Sequence, residues 1–340
     1  MRNHLRIIDA NGNRAAEGLR VLEDVARFLL DDAVWAESAK RLRHAVRTAI
    51  PADAIAARDT AGDVGTAITA PGAMERARTA DLIRANAARV AEALRTAEEA
   101  LKLAGLGSAA AALEQARYAS YQLEAGLLSR LPAWRLTQVK LYALVDTSLT
   151  DDPVAVAAAV ARGGAGVVQL RAKNLGLRAY RALACRVQDA ARAHGALFVV
   201  NDHVAVARAI NADAVHVGQD DLDVADTRAV VGPLCAIGLS CHTPAQVDAA
   251  LMHKPDYLGL GPMFATATKP LEPERGPALL DAVRERLRHA NLPSYAIGGI
   301  DADRLRVIRP LLPHGVALAA ALCRAVDPER AAAEMLAILE

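Results

Sequence analysis

The chain has 340 residues, 53% of them hydrophobic and 23% charged, with 40 Lys and Arg against 39 Asp and Glu. That length carries two domains or one large one, and the share of Ala, Leu, Val and Ile excludes a disordered chain. A net charge of +1 and 3% aromatic residues exclude the basic, base-stacking surface of a nucleic-acid binder.

The N-terminal residues do not open a signal h-region, and no run of about 18 apolar residues is free of charge, so neither secretion nor a membrane span is expected. The four cysteines, Cys185, Cys235, Cys241 and Cys323, form no Cys-x-x-Cys pair. Reduced, mostly buried thiols in a cytoplasmic protein are therefore expected.

Residues 1–130 read as helix throughout. An internal repeat joins RAAEGLRVLED (14–24) to RVAEALRTAEE (89–99). In the first copy Arg14, Glu17, Arg20, Asp24 and Arg27 share one stripe; in the second Arg89, Glu92, Arg95, Glu99 and Lys102 do. Charges alternate along both, so neighbours three and four apart attract. Leu22, Val25 and Leu29 form an apolar stripe on the opposite side of the first copy. The stripes are read either as solvated faces of amphipathic helices or as a duplicated unit whose arginines bind phosphate. Between the copies, Arg58 to Thr66 form a polar, Gly-containing loop. It suits an anion, a metal or a plain surface turn, and lacks the Gly-Lys-Ser/Thr ending of a Walker loop.

Pro132 marks a helix end, and from residue 137 the pattern changes. Strand-like runs occur at 140–146, 166–172, 197–201, 214–218, 235–240, 257–261, 294–299 and 315–322. Helical segments such as 177–194, 276–289 and 328–339 lie between them. Eight β–α units over 137–340 predict a (β/α)8 TIM barrel, so the fold class is α/β, a barrel preceded by an all-α domain. An open doubly wound sheet is disfavoured because no Gly-x-Gly-x-x-Gly follows the first strand.

Barrel sites form at the C-terminal ends of the strands. On the second strand, Gln169, Arg171 and Lys173 share a face by alternation and suit an anion. Asn201-Asp202 ends the third strand, and Gly218 to Asp221 follow the fourth. Carboxylates at adjacent strand ends repel unless a cation lies between them, and oxygen ligands alone suit Mg2+. After the fifth strand, Ser240 is a candidate hydrogen-bond donor to phosphate; a Ser–His nucleophile pair with His242 is not expected, on the reading that the two side chains point to opposite faces. Thr266, Thr268 and Lys269 offer two hydroxyls and an ammonium in a loop able to close over a phosphorylated substrate. Gly298-Gly299 and the region after Gly315 offer backbone donors for a second phosphate.

The segments QLRAK (169–173), ND (201–202), HVGQDD (216–221), GLSCH (238–242), GPMFATATK (261–269) and IGGI (297–300) together resemble the thiamine-phosphate synthase family. The resemblance spans residues 139–340. It implies joining 4-amino-2-methyl-5-(diphosphooxymethyl)pyrimidine to 4-methyl-5-(2-phosphooxyethyl)thiazole, giving thiamine phosphate and diphosphate through a pyrimidine carbocation trapped by the thiazole nitrogen. Carried over by resemblance, Gln169, Leu170, Arg171, Ala172, Lys173, Asn201, Ser240 and Lys269 bind the pyrimidine diphosphate. Thr266, Thr268, Gly299, Ala319 and Ala320 bind the thiazole phosphate, Asp202 and Asp221 hold Mg2+, and Arg171, Lys173 and Lys269 act as catalytic cations.

Two positions depart from the family pattern. Ala172 stands where a Glu is usual, and Ala319-Ala320 replace a pair whose Ser donates to phosphate. The stretch 7–28 resembles a helical domain that precedes this synthase in bacterial fusion proteins, for which either pyrimidine-phosphate kinase activity or a scaffold role is implied. Partners are small phosphorylated molecules, with no nucleic acid and no membrane, and a homo-oligomer is compatible. A thiazole tautomerase and a non-catalytic phosphate-ligand sensor are the alternatives, and retention of the whole cationic and acidic set speaks against the tautomerase.

Overall fold

The computed structural model describes residues 2–58, 79–265 and 276–340, and the chain divides into two compact units, residues 1–131 and 132–340. In the first unit, helix α1 (Arg2–Asp24) runs into a π turn over Val25–Leu29. Helix α2 (Ala33–Ala49) follows, its first turn closed by the Asp32 carboxylate, which accepts from the Val34 and Trp35 amides. A 3-10 turn over Ala52–Ala57, α3 (Thr79–Leu103) and α4 (Gly107–Ser129) complete it.

The repeat has a packing counterpart. Helix α1 packs on α3 and α2 on α4, and Ile8, Leu19 and Leu22 are buried like their repeat equivalents Ile83, Leu94 and Ala97. The charged stripes carry helical ion pairs, Arg20–Asp24 at 3.2 Å and Arg95–Glu99 at 3.1 Å. One carboxylate in each copy is buried instead. Glu23 takes Arg43 from α2 at 2.8 Å, and Glu98 takes Arg117 from α4 at 3.4 Å. Leu29, expected on the apolar stripe, is exposed, because the wider π turn rotates it off the line of Leu22 and Val25. Arg58 donates through Nε and one terminal nitrogen to the two oxygens of the buried Asp9; the rest of the 58–66 loop lies outside the described residues.

The second unit is a closed parallel barrel whose eight strands pair in chain order, β8 returning to β1. The strands are β1 (Leu141–Asp146), β2 (Val167–Arg171), β3 (Leu197–Asn201), β4 (Ala214–Val217), β5 (Ala236–Cys241), β6 (Tyr257–Leu260), β7 (Ser294–Ile297) and β8 (Gly315–Leu318). Strand alternation sorts their side chains into two shells. Val168, Leu170, Phe198, Val200, Val215 and Ile237 face outward against the surrounding helices. Tyr142, Val167, Leu197, Val199, Tyr257 and Tyr295 fill the interior, and Leu136, from the short helix before β1, packs with them. The apolar run at 315–322 is not all strand: β8 stops at Leu318, and Ala320–Cys323 form a helical turn. An unbroken apolar run does not distinguish strand from buried helix, and Ala-Ala-Leu favours helix.

Candidate active site

A cavity of about 770 Å³ opens at the C-terminal end of the strands, within the range that encloses small organic ligands. Gln169, Arg171, Lys173, Asn201, Asp202, Asp221, Ser240, Gly299, Ala319 and Ala320 all line it. Leu170 and Ala172 do not; both are buried in the outer core, as alternation requires, so a role for them in binding is confined to their backbone. Thr266, Thr268 and Lys269 lie outside the described residues.

The polar groups are held from behind. Arg171 donates to Asp146, a buried carboxylate at the end of β1. The other Asp146 oxygen accepts from the Ser148 amide at 2.9 Å and hydroxyl at 2.7 Å. The buried Tyr180 hydroxyl donates to the Leu170 carbonyl at 2.9 Å and accepts from the Asn201 amide at 3.2 Å, tying β2 to β3 where the binding groups emerge.

Asp202 sits just past β3 with φ +61°, a left-handed conformation that Asp tolerates better than most side chains. Its amide donates to the His216 carbonyl at 2.9 Å. Burial, and then the neighbouring Asp221 charge, push the Asp202 carboxyl above its ordinary range, and Lys173 only partly opposes them. The Lys173 ammonium stands 3.9 Å from Asp202, too far for a hydrogen bond. Asp221 accepts from the Gly218 amide at 2.7 Å, which folds the loop back on itself. Among the described residues no group of three or more His, Cys, Asp or Glu gathers as a metal cluster. A cation here would therefore take two carboxylates from the protein and its remaining oxygens from ligand or water, the pattern Mg2+ favours.

Gly298 and Gly299 have φ +104° and +62°. A Cβ on Gly298 would fall 2.6 Å from the Pro262 side chain, and one on Gly299 would strike the Ala265 carbonyl. Only glycine lets this turn lie against the loop after β6. Arg304 donates to the Gly299 carbonyl at 2.6 Å, stacks 5.0 Å from the Phe264 ring centre and lines the cavity.

The expectation for Ser240 and His242 needs correction. Residues two apart on a strand share a face, and both line the cavity. The His242 Nδ1 pairs with the Gly261 carbonyl at 2.6 Å, whereas Ser240 pairs with a different histidine, His216, at 2.9 Å. Sequence reasoning passed over His216, Asp146, Tyr142, Tyr257 and Arg304. Alternation would have placed His216 inward, since it lies two residues after the inward Ala214. Burial pushes the Cys235 and Cys241 thiols up to about 12, which leaves these two protonated at neutral pH.

Residues 141–322 match a family model described as thiamine monophosphate synthase, and residues 6–126 match the ThiD2 family model. The chain is 39% identical over 331 residues to the thiamine-phosphate synthase of Synechocystis sp., covering 97% of this chain and 95% of that one. It is 37% identical over 353 residues to the thiamine-phosphate synthase of Rhodopirellula baltica, covering 100% of this chain and 93% of the other. A solved thiamine phosphate pyrophosphorylase from Pyrococcus furiosus is 29% identical with a TM-score of 0.54, over 60% of this chain and 96% of that one.

Proposed function

The chain belongs to the thiamine-phosphate synthase family and is a transferase, and we propose that its barrel joins the pyrimidine diphosphate to the thiazole phosphate with residues of the cavity just described. The bond from the pyrimidine methylene carbon to the diphosphate oxygen breaks and its electron pair leaves with diphosphate. The thiazole nitrogen then supplies the pair for the new carbon–nitrogen bond. No proton has to be removed, so neither a general base nor a protein nucleophile is needed. What the protein must supply is charge stabilisation at the leaving group, alignment of the two substrates and exclusion of water.

One observation carries this reading: Asp202 and Asp221 stand together at the cavity wall that Arg171 and Lys173 also line. Acids and bases on one wall suit a polyanion brought in with a divalent cation. The donor set fits Mg2+, which when bound would neutralise charge growing on the departing diphosphate. Arg171, aimed by Asp146, and Lys173 would meet the same oxygens. Gln169, Asn201 and Ser240, deeper in the barrel, would meet the pyrimidine ring, and Gly299 with Ala319 and Ala320 would border the thiazole phosphate.

The test is synthesis of thiamine phosphate from the two substrates at varied Mg2+. The variant to use is Asp202→Asn, because Asn also tolerates the left-handed backbone that Ala would strain. It should cut turnover by about 100-fold or more and raise the Mg2+ concentration for half-activity, with the melting temperature nearly unchanged. Full activity in that variant would refute the metal assignment.

For the first unit, the capture of Arg20, Arg95, Arg43 and Arg117 by carboxylates of the same unit favours the scaffold reading over a phosphate-binding one. Incubation of the whole chain with ATP and the pyrimidine monophosphate separates the two. New diphosphate would establish the kinase and end the scaffold reading.

A further inference from the structure

Along the cavity wall an unbroken line of hydrogen-bonded side chains crosses the barrel interior. Gln169 Nε2 donates to Asn201 Oδ1 at 2.7 Å, and Gln169 Oε1 accepts from the Tyr142 hydroxyl at 2.6 Å. The Tyr142 and Tyr257 hydroxyls lie 3.1 Å apart. The Tyr257 hydroxyl is 3.2 Å from His216 Nδ1, and His216 Nε2 is 2.9 Å from Ser240 Oγ.

The direction of this line follows from counting hydrogens. Asn201 presents its side-chain oxygen to Gln169, so Gln169 turns its own oxygen to Tyr142. Burial holds Tyr142 and Tyr257 far above the ordinary phenol range, so each keeps one hydrogen. Tyr142 has committed its hydrogen to Gln169. Two phenol oxygens 3.1 Å apart repel without a hydrogen between them, so Tyr257 donates to Tyr142. Tyr257 then has only a lone pair to offer His216, so the neutral imidazole carries its hydrogen on Nδ1. Nε2 is left bare, and Ser240 donates to it.

The imidazole has a prepared place. A Cβ on Gly238 of β5 would fall 2.5 Å from His216 Nδ1, and one on Gly259 of β6 would fall 3.2 Å from Cε1. Two neighbouring strands omit side chains where the ring lies.

We propose that His216 is a positioning residue that makes Ser240 a hydrogen-bond acceptor toward the cavity. With its one hydrogen given to His216, the Ser240 oxygen shows the ligand only lone pairs. It therefore takes an N–H and does not donate to a phosphate, which replaces the sequence-based expectation for it. In the reaction proposed above, on which this inference rests, the thiazole phosphate has no N–H. The exocyclic amine of the pyrimidine does. Tyr257 and Tyr142 couple that choice to Gln169 and Asn201, so the pyrimidine end of the site is read by one connected set of groups.

The test is steady-state kinetics with Mg2+ and both substrates on wild type, Ser240→Ala, His216→Phe, Tyr257→Phe and the two double variants that include Ser240→Ala. Each single variant should raise KM for the pyrimidine diphosphate about threefold to tenfold, the scale of one neutral hydrogen bond, and leave KM for the thiazole phosphate unchanged. Each double variant should be no worse than Ser240→Ala alone, because the effect runs through that hydroxyl. Losses that add, or that fall equally on both substrates, would overturn the proposal. Should His216→Phe fail to fold, Tyr257→Phe keeps the ring and carries the same test. A wild type that makes no thiamine phosphate would defeat the proposed function itself; an active wild type with additive variants would defeat only the role of His216.

Discussion

Asp146 shows what a single residue contributes to this cavity. It is 2% exposed, and a buried carboxylate is tolerated only when its oxygens are paired. Ser148 takes one oxygen and Arg171 the other. The guanidinium is thereby fixed with its remaining donors toward the cavity. Replacing Asp146 by Asn keeps the shape and removes the charge partner. Hydrogen bonds to charged groups are worth about 1.5–3 kcal/mol, so kcat/KM for the pyrimidine diphosphate should fall about 10- to 100-fold, with KM for the thiazole phosphate little altered. Kinetics with each substrate varied in turn would check it; an unchanged kcat/KM would mean that Arg171 is aimed without Asp146. At this scale the sequence is legible only along one strand. Gln169, Arg171 and Lys173 could be grouped because alternation is local. Asp146 and Arg171 are 25 residues apart, and Tyr142 and Tyr257 are 115 apart. Pairing of β1 with β2 makes the first pair and closure of the barrel the second, and no spacing rule announces either.

At the scale of elements, two glycines in one helix make opposite demands. A Cβ on Gly126 of α4 would fall inside the ring of Trp35 on α2, whereas one on Gly107, in the first turn of α4, meets nothing within 4 Å. Gly126→Ala should therefore force Trp35 out of its packing and cost about 1–3 kcal/mol. Gly107→Ala should gain about 0.4–1 kcal/mol by restricting the unfolded chain. Chemical denaturation of both variants beside wild type checks the signs, and equal effects would mean that α2 and α4 do not pack as described. Helices with a polar side were legible from their periodicity, as those over Leu177–Arg192 and Pro328–Leu339 show. The last strand was not: past Leu318 the residues stay apolar, so no change of pattern marks its end, and only the helix preference of Ala-Ala-Leu points to the turn.

At the scale of the whole molecule, the two units are built on different principles, and this bears on where the chemistry resides. The first is an α-helical duplication with a buried carboxylate in each half. Its repeat was visible in the sequence, but its buried ion pairs were not, because Glu23 and Glu98 look like any other helical charge until α2 and α4 bring Arg43 and Arg117 to them. The second unit is closed on itself: β8 pairs with β1, and the Tyr295 hydroxyl donates to the Leu136 carbonyl at 2.9 Å, beneath the interior core. Every residue placed at the proposed synthase site or holding it from behind lies between Tyr142 and Ala320. A barrel with no open edge strand does not need a further element to complete its sheet. A fragment of residues 132–340 should therefore fold with a cooperative transition and make thiamine phosphate with the kcat and both KM values of the full chain. Circular dichroism melting and the same kinetic assay would decide it. A folded fragment whose KM for either substrate rises tenfold or more would show that the helical unit takes part in the synthase reaction, and the chemistry would then have to be assigned to the chain as a whole.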